Sequence, residues 1–326
     1  MPLVLTDVDV RRVLPMEAVV TAMEQALVQY SRGAVDQPVR STLAFGPRQS
    51  YLGVMPAATR EPAAVGAKLV SIVHENVADG LPSHLATVVL LDPHTGALHA
   101  IIDGRHITAI RTAAVSAVSA KHLARPEASL LAILGSGVQA RAHLEALAHV
   151  RPLREVQVWS PTPEHRRRFA AEMAPRVGLA VRAVDGPDVA VRDADIVALA
   201  TAATEPVLRS AWVRDGTHVV AVGAYRPTAR EMDSDLVARG RLFVDSRAGA
   251  LAEAGDLLIP MREGRFGADH IVGELGELID HRVPGRRSRR EVTVFKSLGM
   301  AVEDIATADL ACRLAEQAGV GTSIET

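Results

Sequence analysis

The most constraining stretch lies in the middle of the chain. From Ala128 onward, short apolar runs alternate with helix-length segments: SLLAILG then VQARAHLEALAHV, EVQVWS then PEHRRRFAAEMA, and later ADIVALAT, HVVAVGA and RLFVDS. Repeated strand-then-helix grammar predicts a doubly wound parallel sheet covered on both faces, because parallel neighbours need a helix-sized crossover. The turn between the first strand and the first helix reads Gly135-Ser136-Gly137-Val138-Gln139-Ala140. Gly135 allows a tight turn, Gly137 lets backbone approach a diphosphate, and the small Ala140 lets helix and strand pack closely. The free N–H groups and positive dipole end of the helix would then receive the anion. The same residues could also form a glycine turn in an α/β domain that binds no nucleotide.

The second strand, EVQVWS, ends where a carboxylate would hold the adenosine ribose of NAD. This chain has Ser160 there, followed by Pro161, Thr162 and, further on, Arg166. No carboxylate repels a 2′-phosphate, and hydroxyls with arginine could accept one, which favours NADP over NAD by a small margin. A plain serine before a Pro-rich turn would leave that choice open.

Upstream, PMEAVVTAMEQALVQYSRG carries apolar residues on helical spacing and closes at Gly33, the pattern of an amphipathic helix with a glycine stop. From Arg40 the pattern becomes STLAF, SYLGVMP, AVGAKLVSIV, LATVVLLD and ALHAIID, separated by Gly and Pro breaks, which predicts a mostly antiparallel sheet. HITAIRTAAVSAVSAKHLA predicts a long buried helix joining two domains and ending at Pro126. HRVPGRRSRREVTVF reads as a basic, broken connection facing water, and KSLGMAVEDIATADLACRLAEQ as a helix packing back on the first domain.

A chain of 326 residues fits two domains, each able to bury a core. With 36 basic and 38 acidic residues the net charge is −2, so nothing argues for nucleic acid or an anionic membrane as partner. Apolar runs such as LATVVLL are strand-sized, far short of a membrane span. The opening MPLVLTDVDVRR carries two aspartates where a secretory signal needs an uninterrupted apolar core. Cys312 is the only cysteine, which excludes an internal disulfide and fits a reducing, cytoplasmic setting. His74, Glu75 and His84 lack metal-ligand spacing such as HExxH, so no metal is expected. His84, beside Ser83, could contact a ligand or be a satisfied histidine. Only three of the basic residues are lysines, Lys68, Lys121 and Lys296, so arginine is the ordinary solvent cation and a lysine invites a specific role.

GSGVQARAHLEAL, with HITAIRTAAVSAVSAKHLA before it and TVFKSLGMAVEDIATA near the end, resembles the ornithine cyclodeaminase and mu-crystallin family. GAKLVSIVHEN, LLDPHTGALHAIIDG and FVDSRAGALAEAGDL extend the likeness from the first helix to the last. The resemblance implies a Rossmann domain at 121–297, set between a substrate-binding and dimerisation domain at 1–120 and a C-terminal helix at 298–326 that returns to it. It also implies a homodimer, and chemistry at the C–N bond of a small amino or imino acid. By position it makes Arg40, Lys68 and Arg111 the substrate-binding cations, with Lys68 and Arg111 catalytic. Independently, a planar guanidinium grips a carboxylate bidentately and fixes the reacting carbon. Lys68 lies in a run of Ala, Gly, Val, Leu and Ile, where an unpaired ammonium is costly unless a substrate carboxylate or a lowered pKa resolves the cost. It could orient substrate or supply a proton.

On the cofactor side the resemblance implicates Ser83, Arg111, Val138, Gln139, Ser160, Thr201, Val222, Gly223 and Ser297, beside Gly135 and Gly137, with Leu298 and Tyr225 nearer the substrate. Cyclodeaminases of the family have an aspartate where this chain has Tyr225, in Val222-Gly223-Ala224-Tyr225. Tyrosine, with an ordinary pKa near 10, is a poor base at neutral pH. Asp233 and Asp235 follow on the next helix and are expected to serve solvent or its dipole. The expectation is therefore an NAD(P)H-dependent imino acid reductase or amino acid dehydrogenase. Ornithine cyclodeamination with retained NAD, and a crystallin-type binding protein with little turnover, are the alternatives.

Overall fold

The computed structural model describes residues 1–46 and 50–325. These form two sheets of eight strands each, one in each of two compact units, Met1–Arg111 with Met300–Thr326, and Thr112–Gly299. The first boundary falls inside a helix, at 111/112 instead of the expected 120/121, and the second at 299/300. Among the described residues no helix is long and apolar enough to cross a membrane.

Unit 1 opens with β1 (Leu3–Leu5), α1 (Asp7–Val13) and α2 (Met16–Ser31). The sequence reading missed α1. Its signal was local: Thr6 and Asp9 form a reciprocal capping box, which satisfies donors that so short a helix would otherwise leave open. Then come β2 (Val35–Asp36), β3 (Ser41–Phe45), β4 (Ser50–Arg60), β5 (Ala63–Ile72), β6 (His84–Leu91) and β7 (Leu98–Asp103). β2 to β7 pair antiparallel as predicted, and β1 adds to β7 in parallel. α3 (Gly104–Leu123) follows and crosses the unit boundary.

Unit 2 contains β8 (Leu130–Leu134), α4 (Val138–Val150), β9 (Glu155–Trp159), α5 (Pro163–Val177), β10 (Ala180–Ala183), α6 (Pro187–Val191) and β11 (Ile196–Leu199). It continues with β12 (His218–Ala221), α7 (Ser234–Arg239), β13 (Arg241–Val244), α8 (Arg247–Glu253), α9 (Gly255–Arg262), β14 (Ile271–Glu274), α10 (Leu275–Ile279) and β15 (Thr293–Lys296). The sheet order is β10-β9-β8-β11-β12-β15-β13-β14, with every pairing parallel. Every residue of β11, β12, β13 and β15 is buried, as a sheet covered on both faces requires. β15 corrects one expectation. The stretch from His281 to Phe295 is not all solvent-facing connection, because Thr293–Lys296 is a central strand between β12 and β13. The arginines before it, and a strand of only four residues that ends in a lysine, hid it.

The chain then returns to unit 1 with α11 (Ala301–Ala318) and β16 (Thr322–Ser323). α11 begins later than expected, since Lys296 ends β15 and the residues after it form a turn. It packs on α2, β4, β5 and β6 and buries residues on most of its circumference, including Glu303 and Asp304.

Candidate active site

In unit 1 the period of β5 sends Ala64, Gly66 and Lys68 to its buried face, and α11 lies against this strand. Lys68 sits between Met55 of β4 and Val88 of β6 and is only 2% exposed. Its Nζ pairs with Asp304 Oδ2 at 2.6 Å. Arg111, 4% exposed, donates from Nε to Asp304 Oδ1 at 2.9 Å and from Nη1 to Glu303 Oε2 at 2.5 Å. Asp304 therefore bridges the two predicted cations, and the cost of burying the Lys68 ammonium is met by a carboxylate of the chain itself. The acidic pair occupies the first turn of α11, where the helix dipole favours negative charge, and Gln37 caps that turn by accepting from Val302 N at 2.8 Å.

Burial pushes the Lys68 ammonium down to about 8, against the attraction of Asp304, and the Arg111 and Arg40 guanidiniums push the same way as burial. For Arg111 burial also disfavours the charge, but Asp304 and Glu303 raise its pKa above the ordinary arginine value. Arg40 is half-buried and close enough to act on Lys68. Ser83 is held to the same unit by its carbonyl, which accepts from Val73 N, and its hydroxyl is 3.0 Å from His84 Nδ1. Among the described residues no cluster of three or more His, Cys, Asp or Glu could hold a metal.

In unit 2 the glycine turn is built as the motif requires. Gly135 has φ +118°, and a Cβ there would lie 2.3 Å from the Ala200 carbonyl oxygen, so only glycine lets the turn after β8 pass the end of β11. Gly137 precedes α4 with open space where a Cβ would stand, and no side chain caps the helix. Val138 is exposed and Gln139 half-buried at this N-terminus, while Arg141 reaches back to the carbonyls of Ser136 and Gly137. Uncapped N–H groups beside an open glycine fit the diphosphate of a dinucleotide. At the end of β9, Ser160 is buried and its hydroxyl accepts from Ser136 Oγ at 3.0 Å. Arg166 donates to Ser160 O at 2.9 Å and pairs with Asp185 at 2.5 Å, so its guanidinium frames this turn.

The neighbouring strand ends carry the rest of the expected set. Thr201 follows β11, Val222 and Gly223 follow β12, and Ser297 and Leu298 follow β15. Two buried carboxylates that sequence reasoning missed hold these turns. Glu231 Oε1 accepts from Thr201 N at 2.8 Å and Thr201 Oγ1 at 2.7 Å, and Oε2 accepts from Gly223 N at 2.7 Å and Ala224 N at 3.2 Å. Asp245 Oδ2 accepts from Ser297 Oγ at 2.9 Å, Leu298 N at 2.6 Å and Gly299 N at 2.8 Å. The signal for Asp245 was its place at the end of the apolar run RLFV; Glu231, between Arg230 and Met232 in a loop, offered none. Tyr225 is half-buried with the Arg226 guanidinium over its ring. Asp233 caps α7 and Asp235 pairs with Arg265, both as expected.

A family model for ornithine cyclodeaminase and mu-crystallin matches residues 1–317. The chain belongs to the ornithine cyclodeaminase/mu-crystallin family. It is 42% identical over 291 residues to the ketimine reductase mu-crystallin of Rattus norvegicus, covering 88% of this chain and 89% of that one. Its fold matches Thermococcus litoralis Delta(1)-pyrroline-2-carboxylate reductase, solved with NADH and L-proline, with a TM-score of 0.97 and 39% identity over 99% of this chain and 100% of that one. It also matches an archaeal alanine dehydrogenase dimer with bound NAD, with a TM-score of 0.94 and 30% identity over 99% of each chain. Membership of the ornithine cyclodeaminase/mu-crystallin family accounts for the pairing of a glycine-turn Rossmann sheet with a mostly antiparallel second unit.

Proposed function

We propose that this chain is an NAD(P)H-dependent reductase of small cyclic α-imino acids, running in reverse as an amino acid dehydrogenase. The observation that carries the reading is the cluster in unit 1, where Lys68 and Arg111 share Asp304 at 2.6 and 2.9 Å. Two buried cations are balanced there by Glu303 and Asp304, and Arg40 is close enough to act on Lys68. A guanidinium held in place by carboxylates is suited to grip a substrate carboxylate. Arg111, its orientation fixed by two carboxylates, and Arg40 hold the substrate carboxylate, and Lys68, with its pKa lowered to about 8, holds a proton it can give to the imine nitrogen.

Bound NAD(P)H supplies the hydride. Gly135, Gly137, Val138 and Gln139 hold its diphosphate, Ser160 its adenosine ribose, and Thr201, Val222, Gly223 and Ser297 the nicotinamide half, with Ser83 and Arg111 completing the set. Tyr225 and Leu298 line the substrate. At the β9 end a hydroxyl stands where NAD-specific sheets have a carboxylate, and Arg166 is adjacent, which supports NADP(H) as well as NAD(H).

Tyr225 in the cyclodeaminase aspartate's place favours reduction over ammonia loss. We also propose a homodimer in the cytoplasm: every residue of β3 is exposed, Leu43 and Phe45 among them, an apolar edge strand of the kind a second copy covers. The test is a screen of NADPH and NADH oxidation against pyrroline-2-carboxylate and piperideine-2-carboxylate. Oxidation in step with amino acid formation is expected. No oxidation by protein shown to bind the dinucleotide, or ammonia release from ornithine without net oxidation, would overturn the reading.

A further inference from the structure

The second lysine-centred feature of the chain is another buried charge cluster, and it lies wholly in unit 2. Lys296, Asp256 and Glu231 are all fully buried. Lys296 Nζ is spent on Asp256 Oδ2 at 3.0 Å and on the Ala224 carbonyl at 2.5 Å. Asp256 Oδ1 accepts from the backbone of Glu231 and Met232 at 2.8 and 3.0 Å, which fixes the segment that carries Glu231. Glu231 then receives three backbone N–H groups and one hydroxyl. Burial and the neighbouring Asp256 push the Glu231 carboxyl above the usual carboxylate range, against the pull of Lys296 and of the Thr201 hydrogen bonds, and the N–H groups that face both of its oxygens are the surroundings of a carboxylate. The cluster thus holds one cation against two anions. It is tightly built as well: a Cβ on Gly223 would lie 2.1 Å from Thr201 O and 2.4 Å from Glu231 Oε1.

The sheet order puts this charge in a definite place relative to a dinucleotide. In a doubly wound sheet the diphosphate lies over the first strand's turn and the adenosine ribose at the second strand's end, so the other half crosses the switch point to the following strands. Here the first strand is β8, the second is β9, and the strands across the switch are β11 and β12. Glu231 binds the turns directly after β11 and β12. We infer that Glu231 is a positioning residue whose buried negative charge biases unit 2 toward the oxidised, positively charged nicotinamide over the neutral reduced one. The inference rests on the dinucleotide reading above and names a residue that tunes it. A fixed anion in a low-dielectric setting attracts a ring cation strongly and leaves a neutral ring almost untouched. Product-form binding is then favoured, and the bound reduced cofactor is the stronger donor.

The experiment is direct binding of NAD+ and NADH, and of NADP+ and NADPH, to the whole protein by calorimetry or by quenching of protein fluorescence. Glu231→Gln keeps the shape and removes the charge; it should weaken the oxidised form about tenfold relative to the reduced form. Asp235→Asn, which removes an exposed carboxylate of the same unit, should leave the ratio unchanged. Equal weakening of both forms by Glu231→Gln would overturn the inference, as would no change. If Glu231→Gln does not fold, Thr201→Val removes one donor and keeps the charge; it should weaken both forms by one factor, and a shifted ratio or no weakening would overturn the inference. Absence of any dinucleotide binding by the unaltered protein would instead remove the functional reading itself.

Discussion

The two units each bury a lysine against carboxylates, and they use the same ingredients to opposite ends. In unit 1, Lys68 and Arg111 meet Glu303 and Asp304 side chain to side chain. Two cations face two anions, and burial lowers the pKa of one of the cations. In unit 2, Lys296 and Asp256 form one pair, while most of the remaining hydrogen bonds run from backbone N–H groups of turns to carboxylates that accept them. The first arrangement leaves charged side-chain ends in tension, with one proton held weakly enough to move. The second uses its charge to fix main chain and leaves an excess of negative charge. A buried salt bridge alone does not say which kind it is; the bonding partners do.

This contrast can be broken by mutation, beginning with the largest effect. Asp304→Ala takes from Lys68 the carboxylate it pairs with and leaves Arg111 its pair with Glu303, and loss of one member of a buried pair costs on the order of 3–5 kcal/mol. The expected outcome is a marked fall in Tm together with activity near background. Asp256→Ala should lower Tm by a similar amount. Any folded remainder should keep the pH dependence of unit 1, and an altered pH profile would erase the distinction between the clusters.

Lys68→Met keeps the volume and apolar packing of the stem. It should fold and lose roughly 10²–10³ in kcat/KM for imine reduction. In the unaltered protein the reductive rate should fall as pH rises through about 8, where Lys68 loses its proton, and Lys68→Met should flatten that limb. Steady-state rates between neutral pH and about 9 check both statements.

Acid should act on unit 2. His143 lies between Gln139 O at 2.7 Å and Ser116 Oγ at 2.8 Å, and His218 between Ser119 and Thr293 hydroxyls. Burial pushes their pKa values down to about 4 and about 3, with Arg286 and Arg151 adding to the effect at His218. Above the ordinary histidine value of about 6.5 both states are neutral and the stability is fully present. Below it the unfolded chain binds protons that the folded one refuses, so each histidine should cost about 1.4 kcal/mol per pH unit until its folded pKa is reached. Tm measured across this window should fall as pH falls, and His143→Gln should make the slope shallower. Asp245→Asn is the smallest change: loosening the Ser297–Gly299 turn should weaken dinucleotide binding about tenfold with little change in Tm.

Much of the fold was legible because its signals are local and periodic. The alternation from β8 to β13, the glycine turn and the antiparallel run from β3 to β7 follow from apolar spacing and breaks. α1 was hidden because its stability comes from a capping box and not from periodicity, and β15 because arginines precede a strand of only four residues that ends in a lysine. Lys68 stood out as a charge among apolar neighbours, but its partners did not. Asp304 lies more than two hundred residues away and acts through the packing of α11 on β5, which no spacing rule reports. Glu231 lies in a loop, and its part in holding two strand ends exists only once β11 and β12 are adjacent.

The most direct test of reduction across the C=N bond follows the label. The protein is given NADH or NADPH deuterated at the transferring position of the ring, together with unlabelled pyrroline-2-carboxylate. Proline carrying one deuterium at Cα, in amounts matching the cofactor consumed, is the predicted result. Unlabelled proline, or cofactor and pyrroline-2-carboxylate both left intact, would contradict the account.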